Sequence, residues 1–264
     1  GTDIPAWFLE EGGQVLSSSI DKYCYVTARP LPPFFDHSIR LAYSRLEQVT
    51  KIDDIRHPLI RTILKDFNQS DIEIHYDSDL PGRGGLGSSS SFGVGLVVAL
   101  MGLKGKIISK KEAADKVINY ERNILQESGG YQDQIAASFG GLNKIVFNKN
   151  GDYSVNPLPI DSGRLNELKR SLLLFYIPIK RFSSEVSLAN DFSKEKYIKP
   201  LTFIHKSVDI GISILMNGDL KHFGELLHET WLRKKEFKNV TNKVVDDIYD
   251  SAIKAGALGG KLLG

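Results

Sequence analysis

The chain has 264 residues, and its 34 lysines and arginines stand against 32 aspartates and glutamates for a formal net charge of +2. A balance so near zero builds no field for tracking nucleic-acid phosphates or an anionic bilayer, and no apolar run reaches the ~18 residues that a membrane span needs. One cysteine, Cys24, excludes an internal disulfide; with no secretory signal visible, the chain reads as a cytoplasmic protein without a nucleic-acid or membrane partner.

In chain order the first signals are two β-leaning runs, Val15 to Ser19 and Tyr23 to Ala28. They are joined by Ile20-Asp21-Lys22, a length that suits a tight connection. Cys24 sits inside the second run and reads as a structural thiol rather than a nucleophile. Arg40-Leu41-Ala42-Tyr43 predicts a further strand. Pro58 to Phe67 has helical spacing, with Leu59, Ile60, Ile63, Leu64 and Phe67 on one face. Asp71 to Tyr76 alternates as a half-buried strand should.

Lys110 to Gln126 predicts an amphipathic helix, with Ser109 and Glu112 spaced as a capping box. Gly129-Gly130 breaks it, Tyr131 to Phe139 restarts a helix, and Gly140-Gly141 ends that one. Asn143 to Phe147 and Leu172 to Ile177 read as strands. Beyond Ser183 the pattern turns helical, best in Lys199 to Met216, Leu220 to Lys235 and Asn242 to Ala255. A shift toward Asn, Asp, Pro and Gly over residues 148–163 divides the chain into 1–160 and 161–264. The six histidines show no metal-ligand spacing, and Trp7 and Trp231 read as core or interface aromatics. The opening Gly1-Thr2-Asp3 without a methionine, and the glycine-rich close, predict that natural residues lie beyond one or both ends.

The segment that carries chemistry follows the alternating strand. Asp79-Leu80-Pro81-Gly82-Arg83-Gly84-Gly85-Leu86-Gly87 is turn-rich, four serines from Ser88 to Ser91 come next, and then an apolar helix. Glycines let backbone N–H groups turn inward toward an anion, and a helix N-terminus adds roughly half a positive charge. The loop lacks the Gly-Lys-Ser/Thr ending of a Walker A motif and the downstream acid of a dinucleotide fold. A plain glycine turn with a serine cap remains the alternative. Spacing alone likewise leaves Glu121 as a charge on a solvated helix face and Asp133 as an ordinary first-turn residue.

Leu80-Pro81 followed by Gly84-Gly85-Leu86-Gly87-Ser88-Ser89-Ser90-Ser91 resembles the second signature of the GHMP kinases, a superfamily of small-molecule kinases that includes galactokinases and mevalonate kinases. The resemblance implies that Gly84, Gly85, Leu86, Gly87, Ser88, Ser89 and Ser90 wrap the phosphates of ATP, with Ser89 beside Mg2+. Gly129-Gly130-Tyr131-Gln132-Asp133-Gln134 resembles the Gly-x-x-x-Asp-Gln segment of sugar-kinase members. By that likeness Asp133 is the general base, Glu121 a Mg2+ ligand, and Gly130 and Gln134 substrate contacts. Gly1-Thr2-Asp3 is similar to the end of the first signature and makes Asp3 a sugar-binding residue, while Gly256 to Gly264 is similar to the opening of the third. Lys22 also falls in a shared segment.

The fold so implied is α+β in two parts, a ribosomal protein S5 domain 2-like N-terminal nucleotide-binding domain and a ferredoxin-like C-terminal domain. The implied activity is ATP-dependent phosphorylation of a sugar or sugar phosphate. Within the superfamily the pattern is most similar to kinases of D-glycero-D-manno-heptose 7-phosphate acting at the anomeric hydroxyl. Another sugar, a mevalonate-type alcohol, or a non-catalytic sensor are the alternatives, and an oligomer is compatible with all of them. A 7-phosphate would call for a basic pocket drawn from Arg29, Lys22, Arg83, Arg181 and Lys261.

Overall fold

The computed structural model describes residues 1–82, 85–177 and 195–263. It divides into two compact units, one of residues 19–140 and one of residues 1–18 with 141–264.

The 19–140 unit is a four-stranded sheet with helices on one face. Its strands are β2 (Cys24–Pro30), β3 (Ile39–Ala42), β4 (Leu46–Val49) and β5 (Ile72–Ser78), in the order β2-β5-β3-β4. β5 runs antiparallel to β2 and parallel to β3. Helix α2 (Pro58–Phe67) has proline at its start, where no amide is needed, and ends on Asn68 at φ 44°. Its predicted face, Leu59, Ile60, Ile63, Leu64 and Phe67, is buried throughout, against Ile39, Leu41, Ile72 and Ile74 of the sheet.

Helix α3 (Ser88–Leu103) closes the same core with Phe92, Leu96, Val97 and Leu100. Two glycines set its distance from its neighbours. A Cβ on Gly93 would stand 2.8 Å from Val117 Cγ1, and one on Gly95 would stand 2.9 Å from Val26 Cγ2. Helix α4 (Lys110–Ile118) has the capping box: Glu112 N–H donates to Ser109 Oγ at 3.2 Å, and Ser109 N–H donates to Glu112 Oε2 at 2.9 Å. The predicted run to Gln126 is not one α-helix, however. From Asn119 to Ile124 the backbone widens into a π-turn, with Leu125 N–H donating to the Tyr120 carbonyl five residues back. Helix α5 (Gln132–Phe139) follows the glycine break.

The other unit joins the two ends of the chain. Its strands β1 (Gly13–Ser18), β6 (Leu142–Phe147) and β7 (Tyr153–Pro157) form an antiparallel sheet in the order β1-β6-β7. Helices α1 (Pro5–Glu11), α6 (Ser162–Ser171), α7 (Glu195–Asn217), α8 (Leu220–Lys235) and α9 (Lys243–Lys254) complete it. Trp7 and Trp231 share a core with Tyr197, Leu201, Ile204, Phe237, Val240 and Val245.

Across the short connection after β1 the chain changes sheets: β1 pairs with β6 and β2 with β5. The same pairing groups the first 18 residues with residues 141–264. One expectation changes. Leu172 to Ile177 forms no strand among the described residues; its side chains stand open, Leu173 at 82%, with no neighbouring strand to satisfy the backbone. The described part of 161–264 contributes helices alone. Among the described residues no helix is long and apolar enough to cross a membrane.

Candidate active site

The glycine-serine loop delivers the chain from β5 to the start of α3. Gly85 and Gly87 both have φ near +70°, a region open to glycine and strained for other residues. Gly87 is the N-cap and offers no side chain to the amides of the first helical turn. A 16-residue helix thus begins with its N–H groups uncapped by any side chain, the arrangement that accepts an anion. Gly84 and Arg83, both singled out by the sequence, lie outside the described residues.

The serines that follow divide their work. Ser89 is exposed and Ser90 is buried, and both donate to one carboxylate: Ser89 Oγ to Glu121 Oε1 at 3.0 Å, and Ser90 Oγ to Glu121 Oε2 at 3.0 Å. Gln134 adds a third donor, its Nε2 on Glu121 Oε2. Glu121 is only 1% exposed, so the reading of a charge on a solvated face is excluded. Its position explains the burial, since Glu121 follows Val117 by four residues and Ala114 by seven and so continues the buried face of α4.

This donor set fits a small hard cation. Ser89 Oγ and Glu121 Oε1 stand 3.0 Å apart. That matches the separation of adjacent ligands in an octahedron with metal–oxygen bonds of about 2.1 Å. Among the described residues no group of three or more His, Cys, Asp or Glu side chains gathers to hold a metal. A Mg2+ ion held by Ser89 and Glu121 would therefore complete its shell with nucleotide phosphate and water.

Asp133 opens α5 beside the loop. A Cβ built on Gly87 would lie 3.4 Å from the Asp133 Cβ and 3.6 Å from its Oδ2, so the loop backbone and this carboxylate are in near contact. The side chain is exposed, yet protein is dense around it, and the loss of bulk water pushes its carboxyl above the ordinary aspartate range. The Arg122 guanidinium opposes that push, and the Glu121 charge adds to it.

Two predicted substrate contacts have partners within the protein. Gln134 is wholly buried, with its amide turned to Glu121, where it braces the carboxylate; its Oε1 is buried without a hydrogen-bond partner. The Gly130 carbonyl accepts from Arg122 Nε at 2.9 Å. Sequence reasoning missed Arg122, and the available signal was its place directly after Glu121, within reach of a glycine pair that carries no side chains.

Asp3 belongs to the unit formed by the chain ends. Thr2 before it is fully buried: its Oγ1 accepts from Gln14 N–H at 3.1 Å and lies 3.1 Å from His205 Nδ1. Gln14 in turn donates to Asp209 Oδ2 at 2.9 Å. Of the basic candidates, Arg29 pairs with the buried Glu73, Lys22 is exposed, and Arg181 lies outside the described residues. Cys24 is half-buried with its thiol pushed up by burial, which suits a packing role.

The sequence profile described as GHMP kinases N terminal domain matches residues 55–141, which include the loop, Glu121 and Asp133. The chain is 29% identical to the D-glycero-alpha-D-manno-heptose 7-phosphate kinase of Campylobacter jejuni, over 100% of this chain and 82% of that protein. It is 25% identical to a galactokinase of Pyrococcus furiosus, over 96% of this chain and 80% of that one. Among solved structures, a D-glycero-D-manno-heptose 1-phosphate kinase from Bacteroides thetaiotaomicron matches with a TM-score of 0.79 at 26% identity, covering 100% of this chain and 81% of that one. The mevalonate kinase of Methanococcus jannaschii, 20% identical, shares the fold at a TM-score of 0.70, over 97% of this chain and 82% of that one. Residues 55–141, with their glycine-serine loop, buried glutamate and following Asp-Gln pair, match the GHMP kinase N-terminal domain, and the whole chain is similar to GHMP sugar kinases in sequence and fold.

Proposed function

We propose that the protein is an ATP-dependent sugar kinase that phosphorylates the anomeric hydroxyl of D-glycero-D-manno-heptose 7-phosphate. The observation that carries the reading is the convergence of three elements: the Gly87 loop, the Ser89–Glu121 pair 3.0 Å apart, and Asp133 against the loop. Phosphoryl transfer needs a phosphate cradle, charge neutralisation and a proton acceptor in one place. The name heptose phosphate in two relatives supports the acceptor, although the two names differ in the number given to the phosphate.

In this reading the uncapped amides of α3 receive the ATP phosphates, and Ser89 and Glu121 hold Mg2+, which neutralises charge on the triphosphate. Asp133 accepts the proton of the acceptor hydroxyl as its oxygen bonds to the γ-phosphorus and ADP departs. Burial raises the pKa of Asp133, which strengthens it as a base. Asp3 hydrogen-bonds sugar hydroxyls. The enzyme would work in the cytoplasm, where ATP is supplied.

The test is coupled ADP release from the full-length protein with Mg-ATP and five acceptors: heptose 7-phosphate, heptose 1-phosphate, free heptose, galactose and mevalonate. Turnover confined to heptose 7-phosphate supports the proposal. Turnover on another acceptor retires the heptose 7-phosphate assignment. Binding of ATP and sugar without turnover on any of them favours a sensor.

A further inference from the structure

The position of Asp133 depends on the turn that precedes it, and that turn has little stiffness of its own. Gly129 lies at φ +134°, and a glycine pair has more freedom to lose on ordering than any other dipeptide. One side chain supplies the missing constraint. Arg122 donates Nε–H to the Gly130 carbonyl at 2.9 Å and Nη1–H to the Glu127 carbonyl at 3.5 Å, and the same Nη1 lies 4.0 Å from the Glu127 carboxylate. The guanidinium is only 15% exposed and lies close to the turn, since a Cβ on Gly129 would come within 3.2 Å of Nη2.

Glu121 and Arg122 are consecutive, yet Glu121 reaches Ser89, Ser90 and Gln134 while Arg122 reaches the glycine turn. Consecutive positions of a helix point about 100° apart, so two neighbours reach two parts of one site.

We propose that Arg122 is a positioning residue, whose two-pronged guanidinium clamps the Glu127–Gly130 turn and so holds the Asp133 carboxylate against the Gly87 loop. The inference rests on Asp133 being the base. It differs from a general fold-stabilising role in acting through one other side chain. The charge of Arg122, which favours ionised Asp133, is a secondary contribution. Lysine keeps that charge but has no planar fork to span two carbonyls.

The experiment uses the full-length protein with Arg122→Gln and Arg122→Lys, each alone and combined with Asp133→Asn. ADP release is followed with heptose 7-phosphate, or with whichever of the five acceptors turns over, to obtain kcat and both KM values. Arg122→Gln should lower kcat by about 10–100-fold, the scale on which a displacement of about 1 Å acts, with KM for ATP changed less than about twofold. Arg122→Lys should recover little of the loss. In the Asp133→Asn background Arg122→Gln should cost nothing further, because the group it positions is already disabled.

Wild-type kcat in Arg122→Gln, full rescue by lysine, or an equal loss in the Asp133→Asn background would each overturn the clamp. If melting shows that the glutamine variant does not fold, the lysine variant carries the same comparison. Asp133→Asn alone tests the base: wild-type kcat there removes the base and the clamp together, whereas a low value with an unaffected Arg122→Gln removes the clamp only.

Discussion

Gln134 donates its side-chain amide to Glu121 while its own carbonyl oxygen stays buried and unpartnered. A buried carboxylate thereby gains a third donor beside Ser89 and Ser90, and its Oε1 is left aimed at the exposed serine. Gln134 therefore acts on the proposed cation site from behind.

Gln134→Ala should weaken Mg2+ more than it weakens ATP phosphate contacts. Groups that orient a ligating carboxylate typically change metal affinity by about 10–100-fold. The Mg2+ concentration for half-maximal ADP release should rise on that scale, and Mg2+ titration by calorimetry in the presence of a non-hydrolysable ATP analogue should show the same shift. An unchanged Mg2+ requirement would separate Gln134 from the cation.

Asp133→Asn should lower kcat by about 10²-fold or more, since a positioned base typically contributes ~10²–10⁴. KM for ATP should stay nearly constant. The carboxyl is raised by burial, so activity that needs the ionised form is lost as pH falls through that raised value. The acid limb of kcat should lie above the ordinary aspartate range and move higher still in Arg122→Gln, which removes the opposing cation. Because the site penalises the charge, Asp133→Asn should melt no lower than wild type at neutral pH.

Tyr120→Phe should destabilise by about 1.5–3 kcal/mol in urea unfolding, the usual cost of losing a hydrogen bond to a charged group. Tyr120, 1% exposed, donates to Asp66 Oδ2 at 2.5 Å, and that bond is the main cause holding the Asp66 carboxyl low. A lowered carboxylate stabilises above its unfolded pKa and loses the contribution as pH falls through its folded one. The gap between wild type and variant should therefore narrow in acid. A gap that widened would contradict the assignment.

Gly93→Ala should destabilise through overpacking by about 1–3 kcal/mol, read as a lowered melting temperature, because the new methyl meets Val117 at 2.8 Å. Val117→Ala in the same chain should restore part of the loss. Gly102→Ala, where a Cβ meets nothing within 4 Å, is the internal control.

What could be read from the sequence was what neighbours in the sequence decide. The buried face of α2 and the Ser109–Glu112 capping box are set within a few residues, and both stand as expected. The loop and the Asp-Gln pair were legible as motifs. The π-turn was not, because the apolar period of residues 110–126 continues across it while the backbone inserts a residue. Nor was the separation of β1 from β2, since a strand's pattern shows which face is buried and not which distant strand it joins. Nor was the turn of the Gln134 amide toward Glu121, since a motif names a residue without stating where its side chain points.

The pairing of β1 with β6 has a consequence for how the protein is made. Residues 13–18 leave the ribosome early, but their partners at 142–147 follow only after about 125 more residues, roughly 6–25 s later at ~5–20 residues per second. The unit of residues 19–140 is complete in sequence before then and can close around its own core. During translation the first strand therefore waits outside a finished neighbour, with its hydrogen-bonding edge available to chaperones or to other nascent chains.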